Sequence, residues 1–249
     1  MSKFEYVPKG EYQPIRRQLE RIIHRVQHIM REKYHVTFQY QLIGSGSRHL
    51  ITREKGGNRG FDFDYDLIVQ SPVSRKSTDL KDLKDRFRRA FIDALKGTNY
   101  RDPEDSTSVL TIKVVDTKSS RIVHSCDFCI VFPFSDGGKG YLKNQKNGRY
   151  SIERRPASRN IDHKLAVVLS TSGGWNRIRA NYLRLKENNR DPQKRSFVLY
   201  MEAVCNIYNQ IKQETTLQNA SQPSSDYSYI TRSRPSYSWQ EISGFTCIR

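Results

Sequence analysis

The sequence has no run of about 18 consecutive apolar residues, so hydropathy gives no membrane-spanning helix. Its opening stretch, MSKFEYVPKGEY, lacks the apolar core of a secretory signal. Cysteine is scarce, four in 249 residues, so no disulfide framework is expected. Cys126 and Cys129 form one CxxC, but no second pair stands at zinc-ligand spacing. Both lie in a strand-like run, where residues three apart face opposite ways; core packing is expected of them. These absences point to a cytoplasmic protein.

Negative charge is also in short supply. Twenty-six Asp and Glu stand against 43 Lys and Arg, a net charge of +17. The basic residues are spread along the chain rather than held in one tail. That balance favours a polyanionic partner such as nucleic acid or nucleotides. The length suits one large domain or two small ones with a real core.

Against this background the stretch FDFDYDLIV, residues 61–69, concentrates three aspartates: Asp62, Asp64 and Asp66. Strand side chains alternate between faces, so the three carboxylates share one face, neighbours roughly 6–7 Å apart. Phe61, Phe63, Tyr65, Leu67 and Val69 form the other, a core face. Aspartate is a poor strand residue and like charges on one face repel. A divalent cation would offset the repulsion, since Mg²⁺ takes one or two carboxylates plus phosphate oxygens. The competing reading is a solvated edge strand that uses charge against aggregation.

The remaining pattern is mixed. Residues 14–33 place Ile15, Leu19, Ile22, Ile23, Val26 and Met30 on one helical face, with Pro14 suited to the first turn. His24 and His28 read as a surface pair. Residues 35–43 alternate as a strand and run into Gly44-Ser45-Gly46-Ser47. A glycine-containing loop, TREKGGNRG, precedes the aspartate strand. Residues 78–96 form a second helix, capped by Ser77 or Thr78. Strands follow at 108–115 and 121–132, the second carrying Asp127 within HSCDFCIVF. After Gly140 the pattern turns helical, with helices at 161–170, 175–187 and 194–211 and a break at 188–192. From Gln213 the chain is polar and is expected to be a mobile tail.

The order of these pieces resembles the polymerase-beta-like nucleotidyltransferase superfamily. Gly46-Ser47, the alternating aspartates and Asp127 in CDFCIV carry the resemblance, which covers roughly residues 36–211. It implies an α+β fold: a mixed-sheet, palm-like catalytic domain with its N-terminal helix (1–140), a helical domain (141–212) and the tail (213–249). It implies that the Gly-Ser turn holds the terminal phosphates of an NTP. The paired acids would bind two Mg²⁺ (or Mn²⁺), and Asp127 would complete the metal site and help activate the attacking hydroxyl. The helical half is similar to the template-independent branch, which includes cyclic-dinucleotide synthases, oligoadenylate synthases and CCA-adding enzymes. In that branch a lysine followed by a serine at a helix start touches phosphate; Lys186 and Ser196 occupy those places. Apart from the resemblance, Arg48 beside the turn reads either as a phosphate contact or as a solvated arginine. The family form, apolar–Asp–apolar–Asp followed by three apolar residues, favours Asp64/Asp66. The other register is Asp62/Asp64, and Asp64 belongs to both. The Ser47-to-Asp64 separation is long, which marks TREKGGNRG as an insertion, and no base-recognition motif follows Asp127.

The chemistry fits these residues independently. Phosphoryl transfer needs charge neutralisation and positioning more than covalent catalysis. Two metals can clamp the attacking and leaving oxygens, and a glycine-rich turn lets backbone N–H groups approach phosphate. The expected activity is therefore transfer of an NMP to a hydroxyl acceptor, with RNA, tRNA or a second nucleotide favoured by the charge. An inactive RNA-binding module on the same scaffold is the alternative. GSGSRH lacks the Gly-Lys-Ser/Thr of a P-loop and the third glycine of a dinucleotide fingerprint. Ser47 and His49 lack a nucleophile elbow, and His124 and His163 read as packing or surface residues. A metal-binding DxD also occurs in glycosyltransferases, but the Gly-Ser turn one strand earlier and the absence of extended α/β alternation disfavour that reading.

Overall fold

The computed structural model describes residues 3–145, 147–154, 161–191 and 193–220. Contacts divide the chain into one compact unit, Met1–Ile211, and a second, Lys212–Arg249.

The compact unit begins with β1 (Phe4–Tyr6) and the long helix α1 (Lys9–Tyr34). After α1 come β2 (Phe38–Ile43), the one-turn α2 (Gly44–Ser47), β3 (Thr52–Glu54) and β4 (Phe61–Val69). The helix α3 (Ser77–Leu95) precedes β5 (Glu104–Asp105), β6 (Val109–Asp116) and β7 (Arg121–Pro133). The strands β8 (Lys139–Asn144) and β9 (Tyr150–Arg154) lead to α4 (Ile161–Leu169), α5 (Gly174–Asn188) and α6 (Ser196–Ala220).

A seven-stranded sheet runs β2-β4-β7-β6-β5, with β8 pairing β7 and β9. Among the described residues, only β4 and β7 pair in parallel; the other ladders of this sheet are antiparallel. The aspartate strand is therefore central, and the edge-strand reading fails. Its aromatic face is buried as expected: Phe61, Phe63, Tyr65, Leu67 and Val69 pack with the apolar stripes of α1 and α3 in one core. Those two helices cover that face and leave the aspartates on the other. Gly60 sits at φ +59 against β7, where a Cβ would overlap the carbonyls of Ile122 and Val123. Only glycine lets the chain enter β4 this close to its neighbour.

Several expectations are corrected. The helix α1 starts at Lys9, so Pro14 lies inside it rather than in its first turn. Tyr12, buried and hydrogen-bonded to His49 Nδ1 at 3.0 Å, extends the apolar stripe upstream. Pro14 and Gly10 are both exposed, so the bond lost at proline falls on the solvent side. The helix α3 has Lys76 at its N-cap with no side-chain cap; the Ser77 hydroxyl instead accepts from the Tyr150 N–H at 2.8 Å. The segment TREKGGNRG is not all loop, because Thr52–Glu54 pairs with β1. The helical pattern expected just after Gly140 is absent: β8 and β9 extend the sheet, burying Leu142 and Tyr150 on alternate-strand logic with Asn147-Gly148 between them.

Helices α4, α5 and α6 form a second core with Leu50, built on Val168, Ile178, Tyr182, Leu199, Ala203 and Val204. Pro192, part of the expected break before α6, lies outside the described residues. In the second unit, residues 212–220 are helical; the rest of the expected tail, 221–249, lies outside the described residues.

Candidate active site

The sheet register assembles the acids. Asp64 on β4 and Asp127 on β7 are Cα partners in the parallel ladder. In-register neighbours on adjacent strands share a face, so Asp62, Asp64, Asp66 and Asp127 point the same way. Their surroundings differ. Asp62 is exposed and Asp64 half-buried. Asp66 is 1% exposed and ion-paired with Lys139 on β8, Nζ to Oδ2 at 3.3 Å. Lys139 Nζ also donates to Gln41 Oε1 at 2.8 Å. One member of the acid row thus already has a protein cation.

Asp127 is half-buried and accepts a 2.6 Å hydrogen bond from Thr111 Oγ1 on β6. Burial pushes its carboxyl pKa up, the Thr111 bond pulls it down, and the charge of Asp62 adds to the rise. A carboxyl in this setting gains from a cation. Cys129 lies on this face opposite Asp66, and Cys126 lies on the core face opposite Phe63; both are buried. Cys126 therefore packs in the core, as expected, whereas Cys129 is buried on the acid face and belongs to neither core.

The turn after β2 closes directly over the acids. Gly44 has φ +64, and a Cβ there would overlap the Asp64 carboxylate. Gly46 is buried; a Cβ would press on Leu42 at 3.0 Å. Ser47 is exposed, its hydroxyl donating to the Gly44 carbonyl at 3.0 Å. Arg48 turns inward: Nη1 donates to the Gly44 carbonyl at 2.8 Å, and the guanidinium lies 4.8 Å from the Tyr200 ring centre and 5.4 Å from that of Phe197.

The helical half brings Lys186 and Ser196 to the same neighbourhood. Lys186 Nζ donates to Thr52 Oγ1 at 2.7 Å. Burial pushes its ammonium pKa down while Asp62 pulls it up, which places the amine within electrostatic reach of the acid row. Ser196 opens α6 and acts to lower the pKa of the Tyr182 phenol, which burial raises. Tyr182 in turn feels both Asp62 and Arg48. Thr111, Thr52, Tyr182, Lys139 and Gln41 are partners that sequence reasoning missed. Tyr182 carries the one usable signal, since it sits one turn before Lys186.

Among the described residues, no three His, Cys, Asp or Glu side chains form a group that could by itself hold a metal ion. A magnesium–nucleotide site does not need one, because phosphate oxygens and water complete the shell. The donor set fits a hard cation: oxygen ligands, like-charged, with Asp127 held against the charge of Asp62. His124 is remote from such a role; it is buried and bonded to Tyr100 Oη at 2.8 Å. His24 and His28 are exposed, and the His163 ring packs edge-on to Tyr208. No described helix is long and apolar enough to cross a membrane.

No family model matches the sequence, and no curated protein sequence matches it. Solved structures do match the fold. The Vibrio cholerae di-nucleotide cyclase DncV, in complex with GTP and 5MTHFGLU2, superposes with a TM-score of 0.58 at 9% identity, covering 82% of this chain and 70% of that one. DncV cyclic AMP-GMP synthase from the same organism, in complex with the linear intermediate 5′ pppA(3′,5′)pG, gives 0.56 at 9% identity over 82% and 69%. The Bradyrhizobium diazoefficiens CD-NTase CdnG in complex with GTP is 12% identical over 83% of this chain, with a TM-score of 0.44. The chain spans 49% of the CdnG chain. The α+β fold of this chain is thus similar to that of these di-nucleotide cyclase structures.

Proposed function

We propose that this chain is a divalent-metal-dependent nucleotidyltransferase that moves an NMP from an NTP to a hydroxyl on a second nucleotide or an RNA end. The observation that carries this reading is the in-register placement of Asp64 and Asp127 on one sheet face, beside the exposed Asp62. Asp62, Asp64 and Asp127 would hold Mg²⁺ or Mn²⁺. Bound there, the metal would supply charge neutralisation and acidify the attacking hydroxyl.

The chain's own residues do the positioning. The N–H groups opening α2 have no helical acceptor and serve the terminal phosphates, with Ser47 at the exposed end. Lys186, which feels the charge of Asp62, and the exposed Ser196 at the start of α6 would contact phosphate. Arg48 holds the turn from behind through the Gly44 carbonyl and the α6 aromatics. Asp66 is tied to Lys139, and that ion pair supports the Asp62/Asp64 register over Asp64/Asp66. In domain terms, residues 1–140 with β8 and β9 form the catalytic part, and α4 to α6 the helical part.

The test is incubation with labelled NTPs and Mg²⁺ or Mn²⁺, with and without tRNA or a second NTP, with products identified by mass spectrometry. NTP consumption that disappears in Asp64→Asn supports the reading. No consumption under any condition, with nucleotide binding unchanged in Asp64→Asn, overturns it.

One observation favours a second reading, a nucleic-acid-binding module. Arg17, Arg21, His24, His28, Arg31 and His35 are all exposed and follow at helical steps along or just beyond α1. Of these, Arg17 and Arg21 are a like-charged i,i+4 pair, which repels, and a phosphate backbone would relieve that. Tight, salt-sensitive RNA binding indifferent to Mg²⁺ and to the aspartates, without turnover, would establish it.

A further inference from the structure

The acid row is flanked by two strands that treat it differently. On the β8 side Asp66 meets an ammonium, Lys139. On the β6 side Asp127 meets a hydroxyl, Thr111, its Cα partner across the antiparallel ladder. The cation nearest along β6 on that face is Lys113, two residues from Thr111, and it is ion-paired to Glu104 on β5. So β6 presents Asp127 with a neutral donor, and the adjacent ammonium is engaged elsewhere.

That distinction has a chemical consequence. A lysine or arginine beside Asp127 would neutralise it and compete with any metal. A threonine hydroxyl orients one carboxylate oxygen and leaves the negative charge available. Threonine is β-branched and stiff at χ1 in a strand, so its hydroxyl is aimed by the backbone. The bond is 2.6 Å long, from Oγ1 to Oδ1, between two half-buried residues.

We infer that Thr111 is a positioning residue for the metal site: its hydroxyl commits Asp127 Oδ1 to the protein and so presents Oδ2 to the cation. This inference rests on the nucleotidyltransferase reading, in which Asp127 is a metal ligand. Thr111 itself touches neither metal nor substrate.

The test compares Thr111→Val, which removes the donor at nearly constant shape, with Thr111→Ser, which keeps it. Metal affinity is read with a non-hydrolysable NTP analogue present, from thermal shift against Mn²⁺ or Mg²⁺ concentration, and separately from the metal dependence of turnover. Removing an outer hydrogen bond to a metal ligand typically weakens metal binding about 10–100-fold, and that is the loss expected for Thr111→Val. Thr111→Ser is expected to stay within about threefold of wild type on the same scale. A Thr111→Val protein of lower melting temperature but unchanged metal affinity would show a merely structural hydrogen bond and overturn the inference. If Thr111→Val does not fold, Thr111→Cys, a weaker donor of serine-like size, takes its place in the comparison with Thr111→Ser, with the same ordering expected. Asp127→Asn separates the two levels. Should wild type and Asp127→Asn respond equally to metal, the metal reading falls and the inference with it. If only Thr111→Val matches wild type, the inference alone falls.

Discussion

Lys139 Nζ lies 3.3 Å from Asp66 Oδ2, and that aspartate is 1% exposed. Three aspartates that look equivalent along β4 are therefore not equivalent: one is a buried ion-pair partner, and two lie further towards solvent.

Substitution should separate them. Asp62→Asn and Asp64→Asn are expected to lower turnover by about 10²-fold or more, the scale of losing transition-state charge stabilisation, while melting temperature changes little. Asp66→Ala is expected to lower stability by about 1–3 kcal/mol, a buried-pair cost reduced because Lys139 is partly exposed. Urea denaturation and metal-dependent thermal shift, run on all three variants, read both effects. Equal loss of stability in the three would contradict the division.

Gly44→Ala tests the closeness of turn and acid. A side chain at φ +64 costs roughly 1–2 kcal/mol, and the added Cβ displaces the Asp64 carboxylate. The variant should lose stability and metal response together. Retained metal affinity in a destabilised Gly44→Ala protein would show that the turn does not set the Asp64 geometry.

Arg48 is predicted to act as a brace. Arg48→Lys keeps the charge but loses the flat fork that both stacks and donates. A stacked cation on aromatic rings contributes about 0.5–2 kcal/mol, so Arg48→Lys and Arg48→Ala should lower stability by similar amounts in chemical denaturation. Full retention of stability in Arg48→Lys would return the residue to phosphate binding.

His124 sets an acid limit. Burial lowers its pKa from 6.5 to about 4. Between those values the unfolded chain takes up a proton that the folded chain refuses. Stability from this group is therefore fully present above about pH 6.5 and lost as pH falls towards 4, at most about 3 kcal/mol in total. Denaturation midpoints between pH 7.5 and 4.5 should fall more steeply in wild type than in His124→Gln. Parallel slopes would remove His124 from the account.

Much of this architecture was legible in the residues. The alternation in FDFDYDLIV set the faces of β4, and the long apolar stripe of α1 set its buried side. Nothing in that alternation showed whether β4 was central or an edge, because strand order depends on partners remote in sequence. The hairpin after Gly140 was missed for a related reason: short strands with a few apolar residues look like irregular helix until their partner is known. The acid row was visible, but the division of labour within it was not. Lys139 meets Asp66 and Thr111 meets Asp127 only across strands. Lys186 and Ser196 were placed by resemblance, whereas Tyr182, whose only sequence signal is its place one turn before Lys186, took its position near the charge of Asp62 from packing.

The parallel pairing of β4 with β7 also has a kinetic side. Between them the chain must complete α3, β5 and β6, so the ladder closes a long loop, and such non-local contacts form slowly. A nascent chain that has made β4 but not β7 carries its row of carboxylates without the strand that organises it. Ligands that recognise the finished row can then act mainly by delaying its disassembly, so they should lengthen the lifetime of the native state more than they hasten its formation.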